Sequence, residues 1–206
     1  MFFLPSETNQ KVILLCGGEG SLRSVSNLLN EVDSYVPATM IFVSEFSQTM
    51  LKIFFDKYER ISKIPIRLLG TEYEVLKPGV LYVMSHSQTV QFGTYETYLT
   101  YRHLQYEYSI SLDQYYTKLA KICGKSLFAV MLSGRGNKGV NGFGKIKEFG
   151  GVALSELPQE SVCQEKPFIT LFQNKAEGAI SGSDLIFHLK DINKAPIINY
   201  EKSTYL

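Results

Sequence analysis

Twice in this sequence a continuous apolar run stops at a cluster of glycines and gives way to a helical repeat. The first run spans residues 11–16 (KVILLC) and ends in Gly17-Gly18-Glu19-Gly20-Ser21. A helical face of Leu22, Val25, Leu28, Leu29 and Val32 follows. The second spans residues 126–132 (SLFAVML) and stops at SGRGNKG. Val140, Phe143, Ile146 and Phe149 then recur every three residues, up to a Gly150-Gly151 stop. Runs this short and this apolar read as buried parallel strands covered on both faces. Glycine clusters permit the tight turn and close backbone approach that join such strands to helices. In an open α/β sheet these turns lie at the carboxyl edge of the strands, where ligands gather.

The rest of the chain fits the same scheme. Residues 40–44 (MIFVS) form a second strand with Glu45 at its carboxyl end. A helix carrying Phe46, Met50, Leu51, Phe54, Phe55 and Tyr58 follows, read as a core stripe. Residues 65–69 give a third strand, and a Pro-Gly turn leads into a fourth at 80–84. Residues 88–111 alternate Tyr and Thr with polar residues, which predicts an antiparallel hairpin turning near Gly93 and appended to the sheet. Its tyrosines either fill a strand pattern or form a recognition surface. Leu112–Cys123 is a helix, 152–154 a short strand, and Pro167 opens another helix in its first turn. Ser183-Asp184 cap a last helix over 185–189, and residues 191–206 read as a polar tail after a domain of residues 1–190. The predicted class is α/β, a doubly wound three-layer (Rossmann-like), mainly parallel sheet with an appended hairpin.

Composition narrows the functions. At 206 residues with a net charge of +1, the chain has no electrostatic bias toward nucleic acid or an anionic membrane, and no apolar run of membrane-spanning length. The start lacks a basic n-region and a long apolar core, so no signal peptide is expected. Three scattered cysteines (Cys16, Cys123, Cys163) suit a reducing cytoplasm better than a disulfide framework, and Cys16 reads as buried and inert. The three histidines show no metal-ligand spacing, so neither metal nor cofactor is expected.

At the first glycine turn a phosphate cradle competes with a plain tight turn. The spacing is neither a Walker loop nor a complete G-x-G-x-x-G, and Glu19 sets a negative charge where phosphate would lie. Ser21 reads as the helix N-cap. The cleft edge is expected to gather Gly17, Glu19, Ser21, Ser85, His86, Ser133, Arg135 and Asn137.

Taken together, these segments resemble the catalytic domain of chemotaxis protein-glutamate methylesterase, the CheB-type receptor demethylase. MLSGRGNKGVNGFGKIKEFGGVALSE is similar to that family's T-G-M-G-x-D-G-x-x-G-L-x-x-L-x-x-x-G-G-x-x-x-x-Q. VILLCGGEGS resembles a strand ending in G-A-S-T-G-G. MIFVSEFSQTMLKIF is similar to V-V-Q-H-M-P-P-x-F-T-x-x-F, VLKPGVLYVMSH to L-x-P-G-x-V-Y-I-A-P-G, and SISLDQYY to P-S-V-D-x-L-F. The order of these stretches, from Val12 to Leu189, carries the resemblance. No receiver domain of that family is expected among these residues.

The resemblance implies a serine hydrolase in which serine attacks a receptor glutamyl ester, histidine carries the proton and aspartate orients the histidine. At the corresponding positions this chain has Gly18, Glu45 and Lys138, and Arg135 replaces the methionine between the turn's glycines. No catalytic residue is therefore expected; the implied function is binding or scaffolding in a chemotaxis-type system, with a chemoreceptor or other signalling protein as partner. Two alternatives stay open. One is an esterase or amidase with a rearranged site, His86 serving as base to Ser133 or Ser85; the other is small-ligand binding at the 17–21 turn. Glu45 and Lys138 are expected either to pair across the cleft or to be solvated independently.

Overall fold

The computed structural model describes residues 10–104 and 110–191. Apolar runs without alternation need cover on both faces, and the structure supplies it. β1 (Val12–Gly17), β2 (Thr39–Ser44), β5 (Leu81–Ser85) and β8 (Leu127–Met131) are buried along their whole length at the middle of a seven-stranded sheet. That sheet runs β10-β9-β8-β1-β2-β5-β3 and every pairing in it is parallel. β9 is Val152–Glu156, and the edge strands β3 (Ile66–Leu68) and β10 (Gly178–Ile180) are short. One core layer, with Ile13, Leu15, Met40, Phe42 and Val130, is closed by α1 (Ser21–Glu31), α2 (Gln48–Tyr58) and α6 (Gly182–Lys190). The other, with Val12, Leu14, Val43 and Ala129, lies under α3 (Leu112–Cys123) and α4 (Val140–Glu148). Α single-turn 3-10 helix (Gly124–Ser126) leads from α3 into β8, and α5 (Glu165–Phe172) packs beside β9.

Chain direction across the sheet reverses at β1. The first half moves from β1 to β2, out to the edge at β3 and back to β5 between them; the second returns to β8, on the other side of β1, and continues to β10. The carboxyl ends of β1 and β8 therefore flank the topological switch point. Both glycine turns of the sequence open there.

Local chemistry explains most helix starts. Ser47 and Ser111 cap α2 and α3, and Ser111 forms a capping box with Gln114. Ser181, not Ser183, caps α6. Nor does Ser21 cap α1. The cap position belongs to Gly20 (φ 88°), and the Ser21 hydroxyl instead donates to the Gly18 carbonyl at 2.6 Å. Gly139 (φ 84°) takes the same position before α4. A left-handed cap residue strongly favours glycine, which displaces the serine expected from side-chain capping alone.

The hairpin also differs from expectation. β6 (Val90–Tyr95) and β7 (Tyr98–His103) turn at Glu96-Thr97, and Gly93 lies inside β6 opposite Thr100. The two strands join β4 (Glu74–Val75) in a separate antiparallel sheet instead of extending the main one. Phe92 and Tyr101 of this sheet are buried, and Phe92 meets Tyr115 of α3 edge-on. Tyr95 and Tyr98 face solvent. The last part of the expected hairpin, residues 105–109, and the expected tail from 192 onward lie outside the described residues. Among the described residues no helix is long and apolar enough to cross a membrane.

Candidate functional site

Backbone hydrogen bonds lace the switch point together. Gly18 N–H donates to Ser133 O at 2.9 Å, and Glu45 N–H donates to Gly17 O at 3.0 Å. Gly134 N–H reaches Cys163 O at 3.1 Å, and Lys166 N–H returns to Gly134 O at 2.9 Å. The ends of β1, β2 and β8 and the segment entering α5 thus form one unit.

Two side chains fill its centre. The Lys166 ammonium pairs with the Glu45 carboxylate and donates to the Lys138 carbonyl at 2.8 Å. Lys166 is 1% exposed and Glu45 22%. Glycines make room for both. A Cβ on Gly18 would stand 3.1 Å from Glu45 Oε1, and one on Gly134 would stand 3.0 Å from Lys166 Cε. A buried ammonium persists only with a carboxylate and further acceptors around it, and here Glu45 and the Lys138 carbonyl supply them.

Glu45 neither pairs with Lys138 nor stands alone in solvent; its partner is Lys166. Lys138 contributes its backbone carbonyl while its side chain faces solvent. Sequence reading missed Lys166 because it lies 121 residues from Glu45 and resembles any lysine in a first helical turn. At the cleft rim, Arg135 pairs with Glu19, with Nη2 3.2 Å from Oε1, both side chains well exposed. The guanidinium holds the Glu19 carboxyl below the usual carboxylate range. One of the two cations expected at this edge is therefore neutralised.

The alternative nucleophiles are engaged elsewhere. Ser133 is fully buried; its Oγ accepts from Cys163 N–H at 2.7 Å and donates to Glu19 O at 2.8 Å. Ser85 Oγ donates to Phe46 O at 2.7 Å. His86 Nδ1 has no hydrogen-bond partner among the described residues, so neither serine is joined to it there. Asn137 is exposed, and its carbonyl accepts from Val140 N–H. Cys16 lies beneath the site, fully buried, and burial pushes its thiol well above the ordinary range. A thiol held protonated in this way is a poor nucleophile.

A second residue also escaped the sequence reading. Glu156, 6% exposed at the end of β9, accepts from Ser133 N–H at 2.8 Å and Ser161 Oγ at 2.9 Å on one oxygen and from Ser24 Oγ on the other. It ties β9 to β8, α1 and the following loop. Among the described residues no group of three or more His, Cys, Asp or Glu is placed to hold a metal ion.

The family model described as CheB methylesterase matches residues 13–182. This chain belongs to the CheB methylesterase family. A protein-glutamate methylesterase/protein-glutamine glutaminase of Desulfitobacterium hafniense is 27% identical over 157 residues, covering 73% of this chain and 39% of that protein. A probable protein-glutamate methylesterase of Borreliella burgdorferi is 25% identical over 181 residues, covering 85% of this chain and 47% of that one. The chain spans about half the length, or less, of these curated relatives. In fold it is similar to the CheB methylesterase catalytic domain of Thermotoga maritima, with a TM-score of 0.80 at 18% identity, covering 90% of this chain and all of that one. Within the CheB pattern, Glu156 stands at the glutamine that closes the longest motif, so that motif did contain a signal for it. Lys166 falls beyond its end.

Proposed function

We propose that this CheB-type domain binds a protein partner in a chemotaxis-type signalling system and does not hydrolyse receptor esters. The observation that supports this reading is the Glu45–Lys166 pair, which occupies the space beside Gly18 where the family's mechanism needs a hydroxyl and an imidazole. Gly18 offers no oxygen to attack an ester. A carboxylate held by an ammonium is a poor acceptor for the proton that attack releases. The partner is a chemoreceptor or another signalling protein, and the setting is the cytoplasm, where the three free cysteines stay reduced.

Incubation of the purified chain with membranes bearing methylated receptors tests the reading. The expected outcome is no methanol above the buffer level while the chain co-sediments with the membranes. Methanol release abolished by a serine-reactive phosphonate would replace this reading with that of a hydrolase whose site is rearranged.

A further inference from the structure

Charge is distributed unevenly over this nearly neutral molecule. From Leu112 to Glu148 the chain carries seven Lys and Arg against two acids, a net of +5, which leaves −4 for all other residues together. Both acids of that stretch are engaged. Asp113 Oδ1 accepts from Gly142 N–H at 2.6 Å, and Glu148 pairs with Lys145 at 2.8 Å. Arg135 is held by Glu19, and the Lys147 ammonium rests on the carbonyl of Asn174 at 3.2 Å. Lys118, Lys121, Lys125 and Lys138 have no carboxylate partner among the described residues.

Of these charges, Lys118, Lys121 and Lys145 line a groove, together with Asp113, whose carboxylate is held by Gly142 N–H. Gly142 has no side chain, so α4 lies directly on the Asp113 backbone at the start of α3; flanking that contact is an open cleft of about 460 Å³ between the helices. Ile110, Thr117, Lys118, Lys121, Asn141 and Lys145 line it. The Lys121 ammonium lies 5.9 Å from the centroid of the Phe149 ring, which is 40% exposed.

We propose that the α3–α4 groove docks an acidic segment of a protein partner. Lysines at the rim meet the carboxylates, and Ile110 with the aliphatic stems of Lys118 and Lys121 meets the apolar side chains between them. A protein segment fits better than nucleic acid. Only Lys118, Lys121 and Lys145 among the cations line the groove, too few for an extended phosphate backbone, and the chain outside residues 112–148 carries net −4. The inference rests on the reading of the chain as a binding component, but it is tested apart from ester hydrolysis.

The probe is a fluorescein-labelled amphipathic peptide of alternating glutamate and leucine pairs, with a lysine-for-glutamate peptide as control. Fluorescence anisotropy should show binding of the acidic peptide alone, weakening about tenfold as salt rises from about 0.05 to about 0.3 M. The surface variant Lys118→Glu/Lys121→Glu should lose at least about tenfold in affinity, and Lys118→Arg/Lys121→Arg should retain it. Circular dichroism confirms that both variants fold. Unchanged affinity in the charge-reversed variant would overturn the proposal. So would tighter binding of a single-stranded RNA lost in that variant, or salt-sensitive self-association of the chain abolished by it. Methanol release in the membrane assay with groove binding intact would refute only the non-catalytic reading.

Discussion

At the scale of single residues, the pair at the switch point makes an asymmetric prediction. Removing Glu45 leaves an ammonium at 1% exposure with one carbonyl for company, whereas removing Lys166 leaves a carboxylate still 22% open to water. Urea denaturation should therefore show Glu45→Ala costing about 3–5 kcal/mol and Lys166→Ala clearly less, with Glu45→Leu/Lys166→Met recovering most of the loss. Equal costs for the two single variants would mean that burial does not govern the pair. Glu156 makes a second contrast. Glu156→Ala orphans the buried Ser133 N–H and should cost about 2–4 kcal/mol. Glu156→Gln should cost about 1 kcal/mol or less in the same assay. Its oxygen keeps Ser133 and Ser161, and the Ser24 hydroxyl has only to turn from donor to acceptor.

Among the elements, the contact of α3 with α4 depends on Gly142. A Cβ there would collide with the Asp113 backbone, which cannot step aside as a flexible side chain would. Gly142→Ala should force the helices apart and cost about 2–3 kcal/mol by thermal melting, despite the better helix propensity of alanine. On the opposite face, α6 meets β8 through His188, stacked on Phe128 with ring centroids 4.3 Å apart. Burial pushes the imidazole below its usual range, and Lys11 adds to the effect. Because the folded pKa lies below the unfolded value, the unfolded chain takes up this proton first. The contribution of His188 is complete above about pH 6.5 and is lost as pH falls toward the folded value. Urea midpoints measured downward from pH 7.5 should decline through that window, and His188→Phe should flatten this part of the profile.

Sequence patterns made these elements legible in proportion to how local their causes are. The central strands announced themselves because burial on both faces demands uninterrupted apolar runs, and the helix expected over Leu112–Cys123 is α3 with the same bounds. The cap of α1 was misread because backbone handedness at Gly20 outweighed the capping chemistry of Ser21. β10 was missed: three residues, Gly-Ala-Ile, carry no period. At the candidate site, Gly18 and Glu45 could be placed by motif, since each sits at the end of a strand. Lys166 could not, because only tertiary packing brings the first turn of α5 to the end of β2.

For the molecule as a whole, introducing the residues of the family's triad tests the chemistry of the site. The variant Gly18→Ser/Glu45→His/Lys138→Asp replaces the residues at the positions matching the family's triad, yet it leaves Lys166 buried without its carboxylate. It should release no methanol from methylated receptor membranes and should melt well below the parent chain. Adding Lys166→Met should restore much of the stability, and any recovered hydrolysis should appear only in that fourfold variant. Activity in the threefold variant would show that the ammonium does not obstruct the site.

The buried lysine also restricts which substitutions this site can accept one at a time. A domain of this size has about 5–15 kcal/mol of stability in all. Any single substitution that removes the Glu45 carboxylate must spend a large part of that margin on a stranded cation. Lys166 thus acts as a gatekeeper for position 45, which can change at low cost only in step with position 166.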